Sequence, residues 1–170
     1  MGTQFLNSKL IKTELMKHYR FDLGYPYVAT ECIKYSDVNA CNDKALVEIE
    51  VKCSLQDLKA EFKTAGNKHN KHFVVYCNPS IRPYAIIPNY YYIAVPEELK
   101  QHAVDIVKQI NTNYGVLVCK KDRCSHSGYT IVCAKKARKL HSKTPDNRTK
   151  SIIAKRITSE LITLRQKYLR

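Results

Sequence analysis

The sequence predicts an α/β domain, a mixed β-sheet flanked by helices in the order αβββαβ with a basic helical extension at its C-terminal end. Three observations carry that expectation. Helical and strand periodicities alternate along the chain, a strictly alternating strand over Ala45–Cys53 runs directly into a helix, and the composition turns basic after Cys133.

At 170 residues and 44% hydrophobic content the chain has the size of one ordinary domain with a sizeable core. The organisation expected is a domain over residues 1–134, a basic linker over 135–150 and an amphipathic helix over 151–170. In the first element Ile11, Leu15 and Tyr19 recur at four-residue steps, a helix that Gly24 and Pro26 end. Tyr27–Tyr35 and Asp37–Cys41 read as strands, and Asn42-Asp43 as a two-residue turn into the third. Ser54 stands at a helix N-cap, followed by Asp57, Leu58, Phe62 and Ala65. A basic loop (Lys68, His69, Lys71, His72) and the apolar run His72–Cys77 come next. Tyr90–Val95 reads as a strand, Pro96 opens a helix, and Gly115–Cys119 with Tyr129–Cys133 form a hairpin. The segment Lys135–Lys150 is rich in Lys and Arg and poor in large apolar residues, as expected of a mobile basic linker. The helix after it carries Ile153, Ile157, Leu161, Leu164 and Tyr168 at helical spacing.

Composition narrows the function. With 29 Lys and Arg against 15 Asp and Glu the formal charge is +14, which favours a polyanionic partner, nucleic acid before membrane. No run approaches the ~18 apolar residues of a membrane span, and the N-terminus lacks a signal-peptide core, so a soluble, cytoplasmic protein with no membrane partner is expected. Seven cysteines, an odd number with no CxxC, read as reduced thiols. The nearest approach to zinc spacing is Cys119, Cys124, His126 and Cys133, which lacks the two close pairs that zinc uses.

Chemistry concentrates in ALVEIEVKC. Glu48, Glu50 and Lys52 share one strand face, and alternate Cα atoms stand about 6.6 Å apart at a rise of ~3.3 Å per residue. A two-residue turn pairs positions whose numbers sum to 85. Asp37 then faces Glu48 and lies diagonal to Glu50, and a register shift of two keeps it on that face. Three acids so close repel one another unless protonated, paired with Lys52 or bridged by a cation. A hard oxygen-seeking ion such as Mg²⁺ suits them.

Asp37, then Glu50-Val51-Lys52 thirteen residues on, then Ser54 and Asp57 at the mouth of a helix, resemble the core of PD-(D/E)xK nucleases. Within that superfamily, EIEVKCSLQDLKAEF, and YYYIAVPEEL followed by GVLVCKKD, are similar to MmcB-type DNA-repair nucleases. The order of elements agrees from Leu10 to Cys133, and the likeness is close over Glu48–Phe62 and Tyr91–Lys120. Ser36 stands where the signature has proline, and the loop from Cys77 to Asn89 is longer than in that subgroup.

The resemblance implies a restriction-endonuclease-like core and a Mg²⁺-dependent endonuclease acting on DNA in repair, processing or mobile-element biology. It implies metal ligation by Asp37 and Glu50, and a catalytic role for Lys52. The backbone carbonyl of Val51 would complete the metal shell, Glu14 and Glu48 stand as further candidate ligands, and Mn²⁺ would substitute for Mg²⁺. Ser54, Lys68, Lys71, Lys135, Lys136, Arg138 and Lys139 are the expected contacts to DNA phosphates. A homodimer is left open.

Rival readings are a catalytically inactive nucleic-acid-binding protein and an RNA-associated structural protein. The bland reading of Glu48, Glu50 and Lys52 is the wet face of an amphipathic strand, and of Ser54 and Asp57 a helix cap. Because both side chains lie on the polar face, Glu50→Ala and Lys52→Ala are expected to abolish cleavage and leave folding near wild type. Because the charge after Cys133 lies outside the expected core, truncation near Ala134 is expected to leave the site assembled.

Overall fold

The computed structural model describes residues 6–33, 36–64, 69, 72 and 86–168. Helix α1 (Ser8–Lys17) is capped by Asn7, whose Oδ1 accepts from Leu10 N at 2.9 Å, and it continues into a π-turn at His18–Asp22. Strands β1 (Tyr27–Thr30), β2 (Val38–Cys41) and β3 (Leu46–Val51) lead into helix α2 (Leu55–Thr64). After it come β4 (Tyr90–Pro96), a 3₁₀ turn, α3 (Lys100–Ile110), β5 (Gly115–Lys121), β6 (Tyr129–Lys135) and α4 (Asn147–Tyr168).

All six strands form one mixed sheet in chain order. The β1/β2, β2/β3 and β5/β6 pairs are antiparallel, whereas β3/β4 and β4/β5 are parallel. Parallel neighbours need crossovers, and α2 and α3 lie in those connections. Both faces of the sheet are therefore covered. On one face α1 and the π-turn after it pack Ile11, Leu15 and Tyr19 against Val38, Ala40, Val47, Ile49 and Val51. On the other, Leu58 of α2 and Ala103 and Val107 of α3 cover Tyr91, Ile93, Val95, Val116 and Val118, while Ile153 of α4 covers Ala29, Cys41 and Leu46.

The β2/β3 register differs from the sequence expectation. Val38 pairs with Ile49 and Cys41 with Leu46, so the numbers sum to 87 rather than 85. The turn has four residues because Asn42 Oδ1 accepts from both Lys44 N and Ala45 N at 2.9 Å, and Asn42 N donates to Ala45 O. Strand β1 stops four residues into the expected run, at Glu31, whose φ of 51° breaks the extended backbone. The apolar run 73–77 lies outside the described residues.

The segment expected to be a mobile linker is instead a strap laid over the sheet. Lys135 ends β6, Ala137 and Leu140 are buried, Arg138 N donates to Asn113 O, and Leu140 N donates to Asn89 O. Asn89 Nδ2 holds the strap again through the carbonyls of His141 and Lys143. Helix α4 begins at Asn147, where Asp146 Oδ1 accepts from Thr149 N at 2.7 Å, and packs its first half on β1. Its last turns project, leaving Leu161, Ile162, Leu164 and Tyr168 more than half exposed.

Gly115 is needed where β5 passes under Tyr92. A Cβ there would stand 2.2 Å from the Tyr92 ring and 2.8 Å from Ala137 N, which itself donates to the Tyr92 hydroxyl. Gly115→Ala should therefore displace both ring and strap and cost about 1–3 kcal/mol, read as a lowered midpoint in urea. A midpoint equal to wild type would show that the strap shifts freely.

Candidate active site

The site gathers at the C-terminal end of β3, where the parallel β3–β4 pair meets the N-terminal end of α2. In open α/β sheets that end is where ligands bind. Glu48, Glu50 and Lys52 point to the same face, as their alternation requires, but that face is not wet. Glu48 is 2% exposed, Glu50 6% and Lys52 9%. They lie beside Tyr91 and Ile93, their register partners on β4, under the helices that close this side.

Lys52 is surrounded by acids. Its Nζ stands 2.7 Å from Glu61 Oε2, 3.7 Å from Asp57 Oδ1 and 3.8 Å from Glu50 Oε2. Burial by itself would lower the lysine pKa, but the hydrogen bond and charge of Glu61, then the charges of Glu50 and Asp57, raise it above the ordinary value of 10.5. Asp57 and Glu61 are four apart on α2 and so share one helix face. Ser54 Oγ accepts from Asp57 N at 3.1 Å, so it caps α2.

Behind Glu61 lies a polar and aromatic cluster. Tyr91 Oη donates to Glu61 Oε1 at 3.3 Å, and His69 Nε2 faces the same oxygen at 3.4 Å. His69 Nδ1 and His72 Nδ1 each stand 2.9 Å from Tyr114 Oη. A phenol has one proton, so it donates to one imidazole and accepts from the other. A His69 proton on Nε2, toward Glu61, would make His72 Nδ1–H the donor to Tyr114 and Tyr114 the donor to His69. Burial, then the charges of Glu61, Glu50 and Glu48, push the Tyr91 phenol well above the usual tyrosine value, which keeps it a donor. The two histidines of the basic loop are thus turned inward.

Asp37 lies just before the neighbouring strand β2. Its Oδ2 accepts from Val51 N at 2.8 Å, which sets the carboxylate beside the Glu50–Val51 peptide. In an extended residue N–H and C=O point the same way, so the Val51 carbonyl shares that edge. Asp37 Oδ1 pairs with Lys12 Nζ at 2.7 Å, and Lys12 also reaches Glu31 at 2.9 Å. Carboxylate and carbonyl oxygens are the donors that Mg²⁺ takes, but here Asp37 is turned to Lys12 and Glu50 toward Lys52. The Lys12 ammonium holds a position that an ion on Asp37 would contest. Among the described residues, no three His, Cys, Asp or Glu side chains form a group that could hold a metal.

Other expected residues lie elsewhere. Glu14 is buried on α1, across the sheet from Glu50, with its oxygens taken by Lys17 and Ser127, each at 2.9 Å. Lys135 Nζ caps the carbonyls of Thr112 and Tyr114 instead of facing solvent. Lys136, Arg138 and Lys139 lie on the strap. Lys68 and Lys71 lie outside the described residues.

Sequence reasoning missed Glu61, Tyr91 and Tyr114. The i,i+4 pair Asp57 and Glu61 was the available signal for the first. Asn39, the register partner of Glu48, adds a buried amide: Oδ1 accepts from Ser36 Oγ at 2.6 Å, Cys32 Sγ at 3.1 Å and Ile33 N at 3.3 Å, while Nδ2 is buried without a hydrogen-bond partner among the described residues.

These features define an α/β protein with a six-stranded mixed sheet and a buried acid–lysine cluster at one strand end. No protein-family model and no curated protein matches the chain. A solved structure, a protein of unknown function from Silicibacter pomeroyi, is similar to it with a TM-score of 0.56 over 96% of this chain and 92% of that one, at 14% identity. A likeness at that identity speaks for the fold alone. Among the described residues no helix is long and apolar enough to cross a membrane.

Proposed function

We propose that the chain is a metal-dependent DNA nuclease of the PD-(D/E)xK type, with a restriction-endonuclease-like core. The observation that carries this reading is a buried lysine two residues beyond a buried glutamate at the end of β3, with the Asp37 carboxylate on the intervening peptide edge. The charge of +14 supports a polyanionic substrate.

In this reading Asp37, Glu50 and the Val51 carbonyl would hold Mg²⁺, with Mn²⁺ able to replace it. Bound there, the ion supplies Lewis-acid help to the attacking water and the phosphate. Lys52 orients that water and neutralises charge that grows on the phosphate oxygens. Lys136, Arg138 and Lys139 bind the phosphate backbone without reading bases. Repair or DNA processing is the biology proposed.

The test is incubation of the whole chain with supercoiled, linear duplex and single-stranded DNA, with Mg²⁺, Mn²⁺ or chelator. Metal-dependent cleavage is expected, falling by about 10²–10³-fold in Glu50→Gln. Added Mg²⁺ should also raise the melting temperature by binding the folded state, less so in Asp37→Asn. Cleavage that survives chelation, or no cleavage of any of these DNAs, overturns the proposal. The Lys12–Asp37 ion pair favours a second reading, an inactive nucleic-acid-binding protein in which Lys12 has taken the ion's place. DNA binding with neither cleavage nor a Mg²⁺ shift would select it.

A further inference from the structure

We propose that Glu61 is the positioning residue of Lys52: its carboxylate, braced by Tyr91 and by the His69–Tyr114–His72 relay, fixes where the ammonium stands in the site. For the reaction it serves, this rests on the nuclease reading above.

Lysine carries a point charge on a four-carbon stem, so its position is set by its partners and not by its own shape. Of the three acids around Nζ, only Glu61 at 2.7 Å is within hydrogen-bond range; Asp57 and Glu50 at 3.7 and 3.8 Å act as charges. The Lys52 and Glu61 side chains are each 11% exposed, whereas that of Asp57 is 53% exposed. Glu61 can hold Lys52 only if it is itself held, and its second oxygen is: Tyr91 Oη and His69 Nε2 both face Oε1.

That brace is rigid. Tyr91 is fully buried, its ring centroid lies 4.4 Å from that of Tyr114, and the His69 ring stands 5.5 Å from Tyr91 and 5.0 Å from Phe62. The two oxygens of one carboxylate thus divide the work, one gripping the lysine and the other anchored in the aromatic cluster. Glu61 arrives there because α2 starts three residues after Lys52, so strand end and helix face are set by one short junction. Glu50, which precedes that junction on β3, meets the same ammonium at the longer distance.

The clamp is tested on the full chain by two measurements. The first is the ¹H–¹⁵N spectrum of the lysine side-chain ammonium groups, in which a persistently hydrogen-bonded –NH₃⁺ exchanges slowly with water and gives an observable signal. Its loss in Lys52→Arg assigns it. Wild type should show the Lys52 signal, and in Glu61→Gln its exchange should accelerate on the order of tenfold as the charge-assisted bond is lost. Asp57→Asn should change it by less than about twofold, as an exposed charge does.

The second measurement is the cleavage kinetics, in which Glu61→Gln should lower kcat by about 10–100-fold and leave KM within about threefold. Glu61→Asp, which keeps the charge on a shorter stem, should recover part of both readouts. A Lys52 signal that stays protected in folded Glu61→Gln overturns the clamp. Lost protection with unchanged kcat overturns its role in positioning. If wild type cleaves no DNA, the nuclease reading and the catalytic purpose both fail, while the ammonium spectrum still decides whether Glu61 fixes Lys52.

Discussion

Lys52→Met should abolish cleavage and lower stability by about 3–5 kcal/mol, the cost of leaving buried carboxylates without their cation. The substituted chain keeps the volume and stem of lysine, so little of the loss comes from packing. Glu50, Glu61 and Asp57 would face one another at distances that the ammonium now bridges. Urea denaturation measures the loss, and the double variant Lys52→Met/Glu61→Gln should regain part of it by removing one of the stranded charges. A midpoint within about 0.5 kcal/mol of wild type would mean that water reaches the cluster and that the strip is wet after all. In the native chain the raised pKa of Lys52 gives the opposite pH limit. Its stabilisation is fully present below the ordinary value of 10.5 and is lost only as pH rises through the higher folded value.

Truncation after Ala134 should leave no cooperatively folded protein. It removes Leu140 and Ile153, buried at 3% and 0%, together with Ala137 and the strap's hydrogen bonds to Asn89 and Asn113. Loss of two large apolar side chains from a core costs about 2–5 kcal/mol each, against a total stability of roughly 5–15 kcal/mol. Circular dichroism during heating should show no sharp transition, and a stable, soluble fragment would show that the strap and helix are appendages. Cutting after Glu160 instead removes residues that are largely exposed, so the melting temperature should stay close to wild type. If the projecting Arg165 and Lys167 bind phosphates, that cut also flattens the dependence of DNA affinity on salt, by a slope of about 0.9 for each phosphate no longer neutralised.

Much of this was legible in the residues. Strict alternation over Ala45–Cys53 marks β3, and its passage into α2 follows from the Ser54 cap, which the structure forms. The common face of Glu48, Glu50 and Lys52 follows from the strand period of two, whereas Asp37, expected to join it, pairs with Lys12 of α1, the helix that covers the opposite face. The register itself was hidden by Asn42, whose side chain imitates a backbone turn and lengthens the loop. Burial of the strip was also hidden. Alternation normally signals one wet face, and only the crossovers of a partly parallel sheet bring helices over both. The strap was obscured by composition. Ala137 and Leu140 alone among its residues 136–140 reach the core, a pattern too sparse to register as a period. Its cap residue, Asp146, sits inside a run that otherwise reads as charge. Glu61 was missed because its role depends on Tyr91 and Tyr114, which only the folded sheet brings near.

Helix α4 closes over a hairpin that lies far back along the chain. Thr30 bonds to Glu160 across 130 residues, and Lys150 reaches Asp43 across 107. A chain emerging from the ribosome thus makes β1 and β2 early but cannot cover Ala29, Cys41 and Leu46 until α4 is free. Pairings of such long sequence separation form slowly, and uncovered apolar surface of this kind invites association between incomplete chains. Slower synthesis at low temperature, which gives each chain time to finish before it meets another, should therefore raise the yield of soluble protein more than any change to the projecting end of α4.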